Sequence, residues 1–229
     1  MPQGYEINDL AKEESWRMFR IIGEMVEGFD SLSGIEPAVT IYGSARLAAT
    51  EKLYSDTEEI AYRLGELGFS IITGGGPGVM EAANKGALRA GTTSVGLNID
   101  LPEEQAGNDY TTMTITFHHF FVRKVMLVKY ATAFVIIPGG MGTLDELTEV
   151  ITLMQTLKIK PFPVVLFESE YWEGFLDWLR NTTLSRKFIS EVDFNLLRVS
   201  DRTEEVVDIV QNWYTKQKVL GKHALYDKI

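Results

Sequence analysis

The 229-residue chain has no cysteine, which excludes disulfides, thiolate zinc sites, iron–sulfur clusters and a cysteine nucleophile. It is also poor in basic charge: 22 lysines and arginines stand against 32 aspartates and glutamates, a net charge of −10. Such a surface repels phosphate backbones, so no nucleic-acid polymer is expected as a partner. Any anion must be held by a local cluster of donors, not by the overall field. Long apolar runs are missing too. Phe134–Ile137 and Val164–Phe167 have the length of strands, far short of the ~20 residues that cross a bilayer, so no membrane partner is expected. Met1–Glu6 carries neither a basic nor an apolar leader pattern, and the expected compartment is the cytoplasm. Histidine is scarce. His118 and His119 are adjacent, so within a strand or a helix their rings would point apart, and neither an H-E-x-x-H pair nor a G-x-S-x-G elbow occurs. No metal and no cofactor are expected.

What is present alternates between two periods. Short apolar runs occur at Ala38–Tyr42, Phe69–Ile72, Ser94–Leu97, Met113–Phe117, Ala133–Ile137 and Val164–Phe167. Helical spacing lies between most of them, as in Leu144, Leu147, Val150, Ile151, Met154 and Leu157. Strands apolar on both faces, alternating with helices, predict a parallel sheet covered on each side. The expectation is one doubly wound, Rossmann-like α/β domain over residues 1–229. Asn8 to Phe29 reads as an amphipathic helix before the first strand, making residues 1–36 an N-terminal helical extension, and Thr203–Lys218 reads as a closing helix.

In such sheets ligands sit beyond the carboxyl ends of the strands, so the loops there carry the functional information. Gly43-Ser44-Ala45-Arg46 follows the first strand: a small, hydroxyl-bearing turn that suits a phosphate or a ribose, or simply a tight turn with a solvated arginine. Thr73-Gly74-Gly75-Gly76-Pro77-Gly78 frees main-chain N–H groups to approach a ligand at a helix N-terminus. It is neither a dinucleotide fingerprint, since Glu81 takes the place of the last glycine, nor a Walker A loop. Pro138-Gly139-Gly140-Met141-Gly142-Thr143 ends the fifth strand and offers a second anion site, with Thr143 opening a helix. Thr143-x-x-Glu146 is also a capping box, and the pattern alone favours that structural role for Glu146 over a catalytic one.

Arg123 and Lys124 lie in Phe120–Tyr130, a helix with apolar side chains on every side, which is therefore expected to be mostly buried. A buried cation needs an anion, from a pocket or a subunit interface, unless it snorkels to solvent. Leu101–Asn108 is a polar, acidic loop after the third strand, solvated by default.

Together these loops resemble the LOG ("Lonely Guy") family of nucleotide-binding proteins, often labelled lysine decarboxylases. The resemblance runs from about Val39 to Gln155 and is most specific at P-G-G-x-G-T-x-x-E, here Pro138–Glu146, with Thr73–Gly78 and the Arg123–Lys124 pair in support. It implies a Rossmann-type homodimer with the active site at or near the subunit contact. It also implies hydrolysis of the N-glycosidic bond of a cytokinin riboside 5′-monophosphate, or of AMP, to free base and ribose 5-phosphate. The family's catalytic arginine and glutamate fall on Arg123 and Glu146. Its substrate-binding acidic residue falls on Glu104, with Glu103 as the alternative. The longer terminal segments and Leu97-Asn98-Ile99-Asp100 look like the larger bacterial branch.

The chemistry agrees with that carry-over. Cleavage develops oxocarbenium character on the ribose, which a carboxylate stabilises while water attacks. Arginine keeps its proton, so Arg123 is expected to bind substrate and orient Glu146. The expected substrate contacts are Gly43, Ser44, Gly75, Gly76, Glu104, Lys124, Gly139, Gly140, Met141, Gly142 and Thr143, with the phosphate in the turn Gly139–Thr143. The competing reading is a nucleotide or molybdenum-cofactor carrier that binds with these loops and does no chemistry. Amino-acid decarboxylation would need a Schiff-base lysine that nothing marks.

Overall fold

The computed structural model describes residues 14–100 and 107–220. Seven strands form one parallel sheet: β1 (Ala38–Tyr42), β2 (Ser70–Thr73), β3 (Ser94–Ile99), β4 (Met113–Phe117), β5 (Ala131–Ile136), β6 (Val164–Phe167) and β7 (Leu197–Ser200). Their order in the sheet is β4-β3-β2-β1-β5-β6-β7. The chain therefore winds outward from β1 to β4, returns to lay β5 beside β1, and winds the other way. The gap between the ends of β1 and β5 is where successive connections diverge, the position at which such sheets open a crevice.

Eight α-helices among the described residues complete the fold: α1 (Glu14–Ser31), α2 (Lys52–Glu66), α3 (Val79–Arg89), α4 (Phe120–Lys129), α5 (Met141–Gln155), α6 (Ser169–Trp178), α7 (Glu191–Phe194) and α8 (Thr203–Leu220). The strand period of two sorts the core. From β1, Val39 and Ile41 point to one face, where Ile60 and Leu64 of α2, Val79 and Ala83 of α3, and Val206 and Val210 of α8 cover them. Ala38 and Tyr42 point to the other, with Val122 and Met126 of α4, Leu147 and Val150 of α5, and Trp172 of α6. Thr40 shares that second face and donates its hydroxyl to the Leu127 carbonyl at 2.7 Å, which satisfies a buried polar group and ties the end of α4 to the sheet.

Two expectations change. A seventh strand, β7, pairs in parallel with β6, although its sequence, Leu-Arg-Val-Ser, gives no apolar run. It is an edge strand with Arg198 and Val199 exposed, so burial never selected an apolar residue at each position. In addition, α4 is not mostly buried: Phe120, Phe121 and Val125 are exposed on one side of it. No helix among the described residues is long and apolar enough to cross a membrane.

Candidate functional site

A cleft of about 710 Å³ opens over the carboxyl ends of β1, β2, β3 and β5, within the size range of small-molecule sites. Gly43, Ser44, Gly75, Gly76, Gly140, Met141, Gly142, Thr143, Arg123 and Glu146 all line it. Backbone bonds lock its loops together. The Ser44 N–H donates to the Pro138 carbonyl and the Val79 N–H to the Ser44 carbonyl, both at 3.0 Å, joining the turns after β1, β2 and β5 at the switch point.

The glycines of the second loop are there for close approach. A Cβ on Gly74 would collide with the Arg123 guanidinium, so this glycine lets Arg123 lie flat against the loop. Gly75 has φ +73°, and a Cβ there would strike the Asn98 amide oxygen. Arg123 is further fixed by donating from Nε to the carbonyl of Leu97, within β3, at 2.6 Å.

The start of α5 removes the capping role for Glu146. The helix opens at Met141 with Gly140 as its N-cap, and no side chain caps it. Thr143 is therefore the third helical residue and is buried, not the capping residue that the Thr-x-x-Glu pattern suggested. Glu146 lies one turn further in and faces the cleft. Its residue surface is partly reached from the cleft, but protein crowds the carboxyl group. Burial pushes its pKa up to about 7, against the opposing pull of Arg123, with Asp145 and Glu149 adding to the rise and Lys124 resisting it. Among the described residues no carboxylate closes an ion pair with Arg123, although Glu146 acts on it through space. Burial lowers the Arg123 pKa, with Glu146 and Tyr42 opposing.

Lys124, one residue on and 100° round the helix, goes elsewhere. It is outside the cleft lining and bridges Asp145 at 2.9 Å and Glu149 at 3.2 Å on α5. Gly139 also lies outside the lining, beside a smaller hollow that it shares with Tyr171. The Tyr171 hydroxyl donates to the Gly139 carbonyl. In a trans peptide the C=O and the next N–H point opposite ways, so this bond aims the Gly140 N–H toward the cleft. Glu103 and Glu104 lie outside the described residues.

Several lining residues were not singled out as contacts in the sequence: Met80, Asn98, Asp100, Thr116 and Phe120, which form much of the wall toward β3 and β4. Tyr42, buried and outside the lining, was not singled out either. Its hydroxyl is buried without a partner among the described residues. Burial, then Glu146 and Glu149, hold its pKa well above the phenol range, with Arg123 opposing. Nothing in the sequence separates Tyr42 from an ordinary last core residue of a strand, except that it directly precedes Gly43-Ser44.

The cleft thus offers N–H groups and a helix N-terminus at one end, and a high-pKa carboxyl beside a buried guanidinium in the middle. No lysine lines it among the described residues. Comparison with known proteins gives a consistent picture. The cytokinin riboside 5′-monophosphate phosphoribohydrolase LOG1 of Arabidopsis thaliana is 27% identical over 185 residues, 77% of this chain and 84% of the plant protein. The corresponding LOG enzyme of Oryza sativa is 28% identical over 165 residues, 70% of this chain and 67% of its own. Among solved structures, the molybdenum cofactor carrier protein of Chlamydomonas reinhardtii matches the fold with a TM-score of 0.58 at 23% identity, covering 78% of this chain and 98% of that one. A family model described as possible lysine decarboxylase matches residues 80–210, more than half of the chain. The chain belongs to this LOG and lysine-decarboxylase-like family.

Proposed function

We propose that the protein hydrolyses the N-glycosidic bond of a purine nucleoside 5′-monophosphate, with adenine or a cytokinin-type adenine as the base, releasing the base and ribose 5-phosphate. The observation that carries this reading is Glu146: a carboxyl whose pKa is raised to about 7, held next to Arg123 in the same cleft as a glycine-capped helix N-terminus. The plant relatives named above act on nucleotides of this kind.

The 5′-phosphate sits on the first turn of α5, where the N–H groups of Gly140, Met141 and Gly142 and the helix dipole favour a dianion. Gly43 and Ser44 close the other side. The ribose then lies over Glu146, one helical turn further along, and the base extends toward β3 and β4, where Asn98, Thr116 and Phe120 form the wall. As the bond to the base breaks, positive charge grows on the sugar. Glu146 stabilises it, takes a proton from the attacking water and later releases it to solvent, while the departing base nitrogen takes its proton from solvent water, so that water is split between sugar and base. Arg123 stays cationic, anchors the substrate and holds Glu146 in place. A homodimer belongs to this reading, supported by the exposed Phe120, Phe121 and Val125 on the helix that carries Arg123.

The experiment is chromatography of adenosine, AMP and ATP incubated with the purified protein at one salt concentration. Several N–H bonds to a charged oxygen contribute roughly 1.5–3 kcal/mol each when well aligned. After losses to desolvation, AMP is expected to exceed adenosine at least ~100-fold in kcat/KM. Triphosphate is expected to react poorly, because a closed turn admits one terminal phosphate. Equal cleavage of adenosine and AMP would remove the phosphate from this turn. Tight binding of AMP without release of base would make the protein a carrier.

A further inference from the structure

We infer that Glu24 is a positioning residue for Arg123: from α1 it caps the start of α4 and so fixes the turn that carries the guanidinium into the cleft. This role rests on the reading of Arg123 as the substrate's anchor and adds to it a residue from outside the cleft.

α4 does not cap itself. Its N-cap is His119, in extended conformation, whose own side chain makes no capping bond. In a capping box the third helical residue offers a carboxylate to the N-cap N–H. Here that residue is Val122, which has no acceptor to offer.

Glu24 supplies the missing carboxylate from another helix. Its Oε1 accepts from the His118 N–H and its Oε2 from the His119 N–H, both at 3.2 Å. Oε1 also faces the Nδ1 atoms of the two rings, at 3.1 and 3.0 Å. Burial works to raise the pKa of Glu24, but the His119 side chain and the two N–H groups outweigh it and hold the group below its ordinary value. A full negative charge therefore stands at the positive end of the α4 dipole. The carboxylate is also firmly placed. Glu24 shares its face of α1 with Ile21 and Met25, which pack against the core, and with Gly28, where a Cβ would meet Met126 of α4 at 2.7 Å.

The part of α4 that this cap holds is the part that faces the cleft. Phe120 and Arg123 both lie in the first turn, and both line the cleft. The Arg123 N–H donates to the His119 carbonyl at 3.2 Å, so the residue whose N–H rests on Glu24 also receives the backbone of Arg123. His118 carries the same bracing to the rim: its Nε2 is 3.6 Å from the carboxylate of Asp100, another lining residue. α1 precedes the stretch from Val39 to Gln155 that resembles the family, so the loops by themselves give it no part in the site.

The test is a double-mutant cycle on the full chain, read on base release from AMP and on AMP affinity by calorimetry. Glu24→Gln keeps the side-chain length and one acceptor, so its circular dichroism is expected to match the wild type. Its kcat/KM for AMP should fall at least ~10-fold and its AMP affinity at least ~5-fold, because small displacements of an anchoring group are costly. Glu24→Ala, which removes the cap outright, should lose at least ~30-fold in kcat/KM. In an Arg123→Ala background, Glu24→Gln should change either quantity less than ~2-fold, because the group it positions is gone. Tyr130→Phe breaks the bond from the Tyr130 hydroxyl to the Phe29 carbonyl, at the far end of the same two helices. It should leave kcat/KM within ~3-fold of the wild type, which a general dependence on the α1–α4 contact would not. Equal losses in both backgrounds, wild-type kcat/KM and affinity in Glu24→Gln, or a Tyr130→Phe as damaging as Glu24→Gln would each overturn the proposal. A wild type that binds AMP and releases no base would sink the hydrolase reading alone, and the cycle would then be decided on affinity. A wild type that does not bind AMP would overturn both.

Discussion

Replacing Glu146 by Gln should make the protein more stable and less active at the same time, and the stability gain should depend on pH. The carboxyl has a folded-state pKa of about 7 against an ordinary 4.5, and burial is the main cause. Below pH 4.5 it is protonated in both folded and unfolded chains and contributes no pH dependence. Between 4.5 and about 7 the unfolded chain gives up a proton that the folded chain keeps, so stability falls as pH rises; above that range the loss is complete. A gap of two and a half units at about 1.4 kcal/mol each sets a ceiling near ~3 kcal/mol. Water in the cleft screens part of it, leaving about 2 kcal/mol. Gln is neutral at every pH and keeps the shape, so Glu146→Gln should match the wild type near pH 4.5 and exceed it by about 2 kcal/mol at pH 8. For a chain of this length that is roughly 4–8 °C in Tm. Denaturant titrations of both proteins at half-unit pH steps read the difference directly. Base release from AMP by the same variant should fall at least ~100-fold. A stability difference that stays flat across pH would refute the reasoning, because it would mean that Glu146 ionises like a solvated carboxyl. Wild-type turnover in a stabilised variant would leave the pKa argument standing and remove Glu146 from the chemistry.

Three further outcomes follow from the same geometry. Lys124→Met removes the partner of Asp145 and Glu149 and a charge that restrains the Glu146 pKa, so the acidic limb of the pH–rate profile should move up by about half a unit or more. Tyr171→Phe frees the Gly139 carbonyl and loosens the aim of the Gly140 N–H; KM for AMP should rise roughly tenfold with kcat changed less than threefold, and an unchanged KM would remove Tyr171 from that role. Gly75→Ala imposes a side chain at φ +73° against Asn98 and should cost roughly 1–3 kcal/mol of stability, measured by denaturation, with loss of AMP binding by calorimetry.

The sheet was legible where apolar and β-branched residues run unbroken, in the buried β1 and β6 and in the half-exposed edge strand β4 alike. β1, β4 and β6 coincide with the apolar runs that announce them, and β2, β3 and β5 shift by one or two residues at their ends, where hydrogen bonding rather than hydrophobicity sets the boundary. β7 was hidden because a half-exposed edge strand needs only Leu197 and Ser200 inside. The bare side of α4 was hidden for a related reason: the periodicity of a sequence shows which residues want cover, not which surface provides it.

The cleft shows the opposite failure, in which a correct pattern carried the wrong role. Thr143-x-x-Glu146 fits a capping box to the letter, and that rule assumes that the threonine stands at the helix start. Here the helix begins two residues sooner, because Gly140 takes the N-cap position without any side chain to announce it. The shift turns Thr143 inward and carries Glu146 out of reach of the helix start, into the cleft beside Arg123. A glycine cap also leaves the first N–H groups of α5 unclaimed by any side chain, which a Thr or Ser cap would not have done. The missing cap and the misplaced glutamate are thus one feature: the helix start is open to an anion, and the next turn brings a high-pKa carboxyl toward whatever that anion carries.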